Sequence, residues 1–156
     1  MKKVLLLYTE NDRDKAEDLQ DYLQIRLRTL ADIRNVSFIL AMKQSFRRQL
    51  HHNDCVVLIG SRQASSFIQN KKQETVDNCV TFDGKALHEE FAENKELVNK
   101  LVMVFFTERT KNDWIPNGLE GKRMFDLQDK NIEEGPLLYQ LEYCIRRVLG
   151  ETVLDW

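Results

Sequence analysis

Cysteine is scarce in this sequence, and its arrangement excludes two kinds of chemistry. Cys55, Cys79 and Cys144 make three, an odd count. With no C-x-x-C spacing, neither a disulfide framework nor a zinc site is indicated. Cys55 opens the apolar run Cys55-Val-Val-Leu-Ile59 and Cys144 falls in a helix-like segment, so both are expected as reduced core thiols. Long hydrophobic runs are missing too. Two lysines near the start precede only five or six apolar residues before Thr9 and Glu10. That is short for a signal peptide, and nothing approaches the roughly 18 residues that span a membrane. The chain is therefore expected to be cytoplasmic, with no direct membrane insertion. Neither sign of charge dominates. A net charge of −2 gives no overall attraction to nucleic acid or anionic lipid.

Nucleotide signatures are absent as well. No G-x-G-x-x-G follows the first apolar run, so a dinucleotide lacks its close backbone approach. No G-x-x-x-x-G-K-[ST] cradles a triphosphate. A phospho-receiver domain needs an aspartate where Gly60-Ser61 ends the third apolar run. Glu10 and Asp12 are better explained by capping and solvation than by Mg²⁺, and the adjacent His51 and His52 point in different directions on a helix. No metal site and no bound cofactor are expected.

What is present alternates between two periods. At 156 residues, 42% of them hydrophobic and 31% charged, the chain suits one domain with a filled core and a well-solvated surface. We assign that domain to residues 1–150 and a tail to 151–156. Val4–Tyr8, Val36–Leu40, Cys55–Gly60 and Leu101–Phe106 are short apolar runs predicted as strands buried on both faces, and Arg123–Leu127 is a half-polar run suited to an edge. Helical spacing is predicted over 12–30, with Asn11 or Asp12 as cap, and over 42–52, 61–69 with Ser61 as cap, and 86–97. A last helix begins at Pro136 and ends at Gly150. Strands alternating with helices predict a doubly wound, flavodoxin-like α/β domain with five parallel strands in the order 2-1-3-4-5. Ligands on such sheets gather beyond the carboxyl ends of the strands. Here those ends are 8–11, 40–42, 60–63 and 107–110.

Three stretches resemble the TIR/SEFIR superfamily of cytoplasmic signalling domains. They are Lys3-Val-Leu-Leu-Leu-Tyr8, Cys55-Val-Val-Leu-Ile-Gly-Ser61, and Leu87-His-Glu-Glu-Phe91 with the following Leu101–Phe106, Trp114-Ile-Pro116 and Arg123–Leu127. The order of the third stretch, and the lack of a long loop between Leu40 and Met42, are closer to SEFIR than to TIR domains. The resemblance implies homotypic association with a receptor or adaptor of the same fold, self-association included. The opposed charges of Lys43, Arg47, Arg48 and His51 on one side, and Asp126, Asp129, Glu133 and Glu134 on the other, suit a head-to-tail contact. It also implies an alternative. Glu90 stands where TIR enzymes carry the glutamate that supports cleavage of NAD⁺, with His88 two residues before it. A carboxylate there can stabilise an oxocarbenium-like state. Two departures weaken that alternative: Ala86 replaces an aromatic residue, and the first loop reads Thr9-Glu10 where enzymes tend to be basic. The plain role for Glu90 is a helix residue pairing with Asn94 or Lys95.

Overall fold

The structure is a computed structural model in which residues 1–35, 45–69, 82–127 and 135–150 are described. From Val4 to Tyr8 every side chain is out of water, which requires a run without polar interruption. This is β1 (Lys2–Leu7). It lies between β2 (Ala31–Asn35) and β3 (Cys55–Gly60), and the sheet continues through β4 (Leu101–Phe105) to β5 (Met124–Asp126). All four pairings are parallel, and the order is 2-1-3-4-5. The expected fold is therefore the observed one. Its long apolar runs sit in β1, β3 and β4, where helices cover both faces.

Helices form two layers. α1 (Arg13–Leu27) buries Ala16, Leu19, Leu23 and Leu27, spaced by three or four residues as one helical face requires. The last helix, α6 (Pro136–Val148), lies beside it. Arg26 of α1 reaches Glu142 of α6 at 2.7 Å, and Arg146 bonds both Glu142 and the Arg26 carbonyl. Glu142 is 5% exposed, and two guanidiniums satisfy the charge that burial would otherwise penalise. On the other face α2 (Phe46–His52), α3 (Arg62–Ile68) and α4 (Gly84–Glu93) pack together, followed by the short α5 (Lys95–Val98).

Several boundaries differ from the sequence reading. The second strand is Ala31–Asn35, five residues earlier than expected; 36–40 lie outside the described residues. An edge strand needs one buried face only, and Ala31 and Ile33 supply it while Asp32 faces water. The predicted helix over 86–97 is two helices, because Asn94 adopts an extended backbone and turns its amide onto the Glu90 carbonyl. The helix expected from Asp12 to Leu30 stops at Leu27. Ser61 does cap α3, accepting from the Ala64 amide at 3.1 Å. Pro136 opens α6 as expected, and Gly150 follows it with φ +87°.

Among the described residues, no helix is long and apolar enough to cross a membrane. Cys55 is buried and Cys144 half-buried, both free; burial pushes the Cys144 thiol up to about 11 and Cys55 further. A neutral thiol is a poor nucleophile, so neither is a reactive site. Cys79 lies outside the described residues.

Candidate functional site

Two clusters bear on function, one at the strand ends and one between α2 and α4. The first joins β1 to β3 where strand order reverses, the usual ligand position in this architecture. Asp12 stands at the N-cap of α1 but holds no helix amide. Instead its Oδ2 accepts from Ser61 Oγ at 2.7 Å and Thr9 Oγ1 at 3.1 Å. The Gln63 side chain accepts from the Asn11 amide, and Arg13 forks onto Glu10. Every polar group named here has a partner, so the cluster laces two strand ends together. Among the described residues, no group of three His, Cys, Asp or Glu could hold a metal ion.

Burial raises the Asp12 pKa above the ordinary carboxylate range, and the bonds from Ser61 and Thr9 only partly oppose this. A raised folded pKa means the native state disfavours the charged form. The Asp12 contribution to stability is then fully present below the ordinary aspartate range and is lost as pH rises through the folded pKa. Asp12→Asn keeps an acceptor for both hydroxyls and removes the charge. Its melting temperature at pH 7 is expected to match or exceed that of the parent, with the difference shrinking toward pH 3. A variant much less stable than the parent at pH 7 would contradict this.

The second cluster is built from charges the sequence analysis assigned to separate roles. Arg47 and His51, one turn apart on α2, both face α4. Arg47 bonds Glu89 at 2.6 Å and Glu90 at 2.9 Å; His51 Nε2 lies 2.7 Å from the other Glu90 oxygen. Asn94 Nδ2 donates to that same oxygen at 3.0 Å, so the expected Asn94 pairing is present. His51 first, then Arg47, hold the Glu90 carboxyl below the usual carboxylate range. At the far end of α2, Lys100 Nζ bonds the carbonyls of His51 and Asn53, as suits a cation at a helix C-terminus.

Glu90 also faces away from the nearest cleft. His88, Phe91 and Ala92 line a cavity of about 360 Å³ closed by Trp114, Ile115 and Pro116. At 100° per residue those three positions share one side of α4, whereas Glu90 lies on the opposite side, toward α2. Trp114 is fixed there by edge contacts with His88 and Phe91 and by a 2.8 Å bond from its amide to Ser65.

Of the expected binding residues, Arg47 and His51 are drawn into this ion-pair cluster while staying partly exposed, and Arg48, beside His52, is exposed outside it. Lys43, Asp129, Glu133 and Glu134 lie outside the described residues. Sequence reasoning missed the Asp12–Ser61 link, the Glu142 pair and the whole Arg47–Glu90 contact, since each spans more than 38 residues of chain. No protein-family model and no curated protein matches the chain.

Proposed function

We propose that this domain is a protein-interaction module of the SEFIR/TIR type, acting in the cytoplasm by homotypic association with a receptor or adaptor of the same fold. One observation carries the preference for binding over catalysis: both Glu90 oxygens are occupied by Arg47, His51 and Asn94. A carboxylate serving a developing oxocarbenium ion needs a free face toward substrate. Glu90 has its charge neutralised by its neighbours and points away from the cleft. The alternative, hydrolysis of NAD⁺ as substrate, would require this cluster to open.

The cluster also refines the docking surface. Arg47 and His51, though partly exposed, are committed to Glu89 and Glu90, so Arg48 and His52, exposed and outside that cluster, are the side chains of α2 that meet an acidic partner. The acidic run Asp129, Glu133 and Glu134 of a second copy has the complementary charge. Arg48→Glu with His52→Glu is expected to weaken self-association or partner capture in light scattering at low salt, with an unchanged melting temperature. Glu133→Lys and Glu134→Lys on a second copy should restore it, and high salt should weaken the parent contact. Association that ignores these reversals at low salt would sink the proposed surface.

A further inference from the structure

The cleft on the side of α4 away from Glu90 is built from side chains that the ion-pair cluster does not use. Its volume is about 360 Å³, near the lower end of the roughly 300–1,000 Å³ typical of ligand pockets, so an occupant must be small. Phe91 and Trp114 are 4% and 7% exposed, and their ring centroids stand 5.9 Å apart with the planes at 69°. His88 meets Trp114 edge-on at 6.3 Å. Ile115 and Pro116 complete a wall that is apolar and largely aromatic.

The rim is polar, and its polar groups are unused. His88, Lys95 and Asn117 all line the cleft. Among the described residues the side chains of Lys95 and Asn117 hold no hydrogen bond or ion pair, and His88 has only the Trp114 ring. Asn94, not Lys95, donates to the Glu90 carboxylate, which leaves the ammonium unneutralised. No carboxylate lines the cleft. At about 100° per residue, Glu89, Glu90 and Glu93 lie roughly 100–200° round α4 from His88. Asp113, beside Trp114, accepts from the Thr110 amide and the Ser65 hydroxyl. Even a neutral imidazole keeps one N–H. Three side chains with hydrogens to donate therefore surround an aromatic wall, with no acid among them.

We propose that this cleft binds a small aromatic acid, a planar apolar ring system carrying one carboxylate. The ring lies against Phe91, Trp114 and Ile115, where edge and offset contacts between aromatic rings favour one more. The carboxylate lies at the rim and pairs with Lys95, with the N–H groups of His88 and Asn117 as further donors. The wall is in place before anything binds. Ser65 holds the Trp114 amide at 2.8 Å and Asp113 ties the loop ahead of it, so a ligand has little left to order. A neutral ring of the same shape would lose the ion pair, and an aliphatic acid would lose the ring contacts. Held there, the ligand bridges α4 and the segment leading from β4 to β5, on the side of α4 that the Arg47–Glu90 cluster leaves open.

The test is titration of the full chain, labelled with 5-fluorotryptophan, with 2-naphthoate and with its neutral isostere 2-naphthamide. The chain holds two tryptophans, Trp114 and Trp156, and Trp156→Phe identifies the Trp114 resonance. Naphthoate is expected to shift that resonance saturably and to bind about three- to fivefold more tightly than the amide, the range of an exposed ion pair. Lys95→Met should erase the preference by weakening naphthoate alone. Ala92 is exposed and lines the cleft, so Ala92→Phe should fill it and abolish the shift from both ligands with the melting temperature unchanged. Should Ala92→Phe disturb the fold, Lys95→Met decides the case alone. A Trp114 resonance that naphthoate does not move would overturn the proposal. So would equal affinity for acid and amide, a preference that survives Lys95→Met, or a shift that survives Ala92→Phe. A shift produced by concentrating the chain without ligand would give the cleft to a second copy and overturn it too. None of these outcomes depends on the charge-reversal test of association.

Discussion

Gly60→Ala is expected to lower stability by about 2–3 kcal/mol, a fall of roughly 5–10 °C in melting temperature for a chain of this length. Gly60 ends β3 and pairs in register with Phe105 of β4. A Cβ built there stands 2.2 Å from Phe105 Cε1 and 2.7 Å from two more ring carbons, well inside any contact real atoms tolerate. The glycine is thus required for space and not for an unusual backbone angle. Phe105 is 1% exposed, with the Arg109 guanidinium 5.4 Å from its ring centroid, so the ring has nowhere to retreat. Phe105→Leu removes the clashing atoms. The double variant Gly60→Ala/Phe105→Leu should then be more stable than the sum of the single losses predicts, a coupling read directly from a double-mutant cycle in urea. Strictly additive losses would show that the clash is not the cause.

The second large effect is expected at Arg123. This residue begins the edge strand in sequence, yet it is 6% exposed. Its Nη1 donates to the Val98 carbonyl, at the end of α5, and to the Leu101 carbonyl at the start of β4. One guanidinium thereby ties the last helical turn before β4 to the strand pair β4–β5. Arg123→Met preserves most of the apolar stem but leaves two inward-facing carbonyls without their donor, at a cost of about 2–4 kcal/mol. Arg123→Ala should cost more, since a cavity is added. Thermal melts of the two variants decide this. A methionine variant as stable as the parent would mean that solvent or a neighbouring group satisfies those carbonyls.

These two positions illustrate where the sequence was legible. Strand β1, strand β3 and strand β4 are unbroken apolar runs, and burial on both faces leaves no other composition open to them; their existence, parallel pairing and order follow from that and from the handedness of crossovers. The edge strands were harder. β2 has only Ala31 and Ile33 buried, too little apolar signal to compete with the stronger run just after it. Arg123 reads as a surface charge until the fold brings two carbonyls to it. The site divides in the same way. Glu90 and the α2 cations were visible as separate features, one as a catalytic candidate and the other as a docking patch. What no local pattern shows is that α2 and α4, crossing on one face of the sheet, bring Arg47 and His51 onto Glu90 from about forty residues away. That long-range contact turns two candidate sites into one intramolecular ion-pair cluster at the surface.

Arg47 follows as a position where loss of binding would not be diagnostic. Reversing it places a carboxylate against Glu89 and Glu90, so α2 would be repelled from α4 whether or not Arg47 meets a partner. Arg48, one residue on and turned to solvent, separates docking from packing. The Asp12 cluster is likewise a fastening between β1 and β3, with every hydroxyl and carboxylate oxygen named above committed to the chain itself.

The central claim is that Glu90 is a structural ion-pair acceptor in a binding domain. The most direct test is release of nicotinamide from NAD⁺ by the purified domain, run both in dilute solution and with crowding agents or crosslinked assemblies that favour self-association, with Glu90→Gln alongside. The account predicts no release above the uncatalysed background in either state, and no difference between parent and variant. Nicotinamide release by the parent that Glu90→Gln abolishes, with the variant still folded, would contradict it.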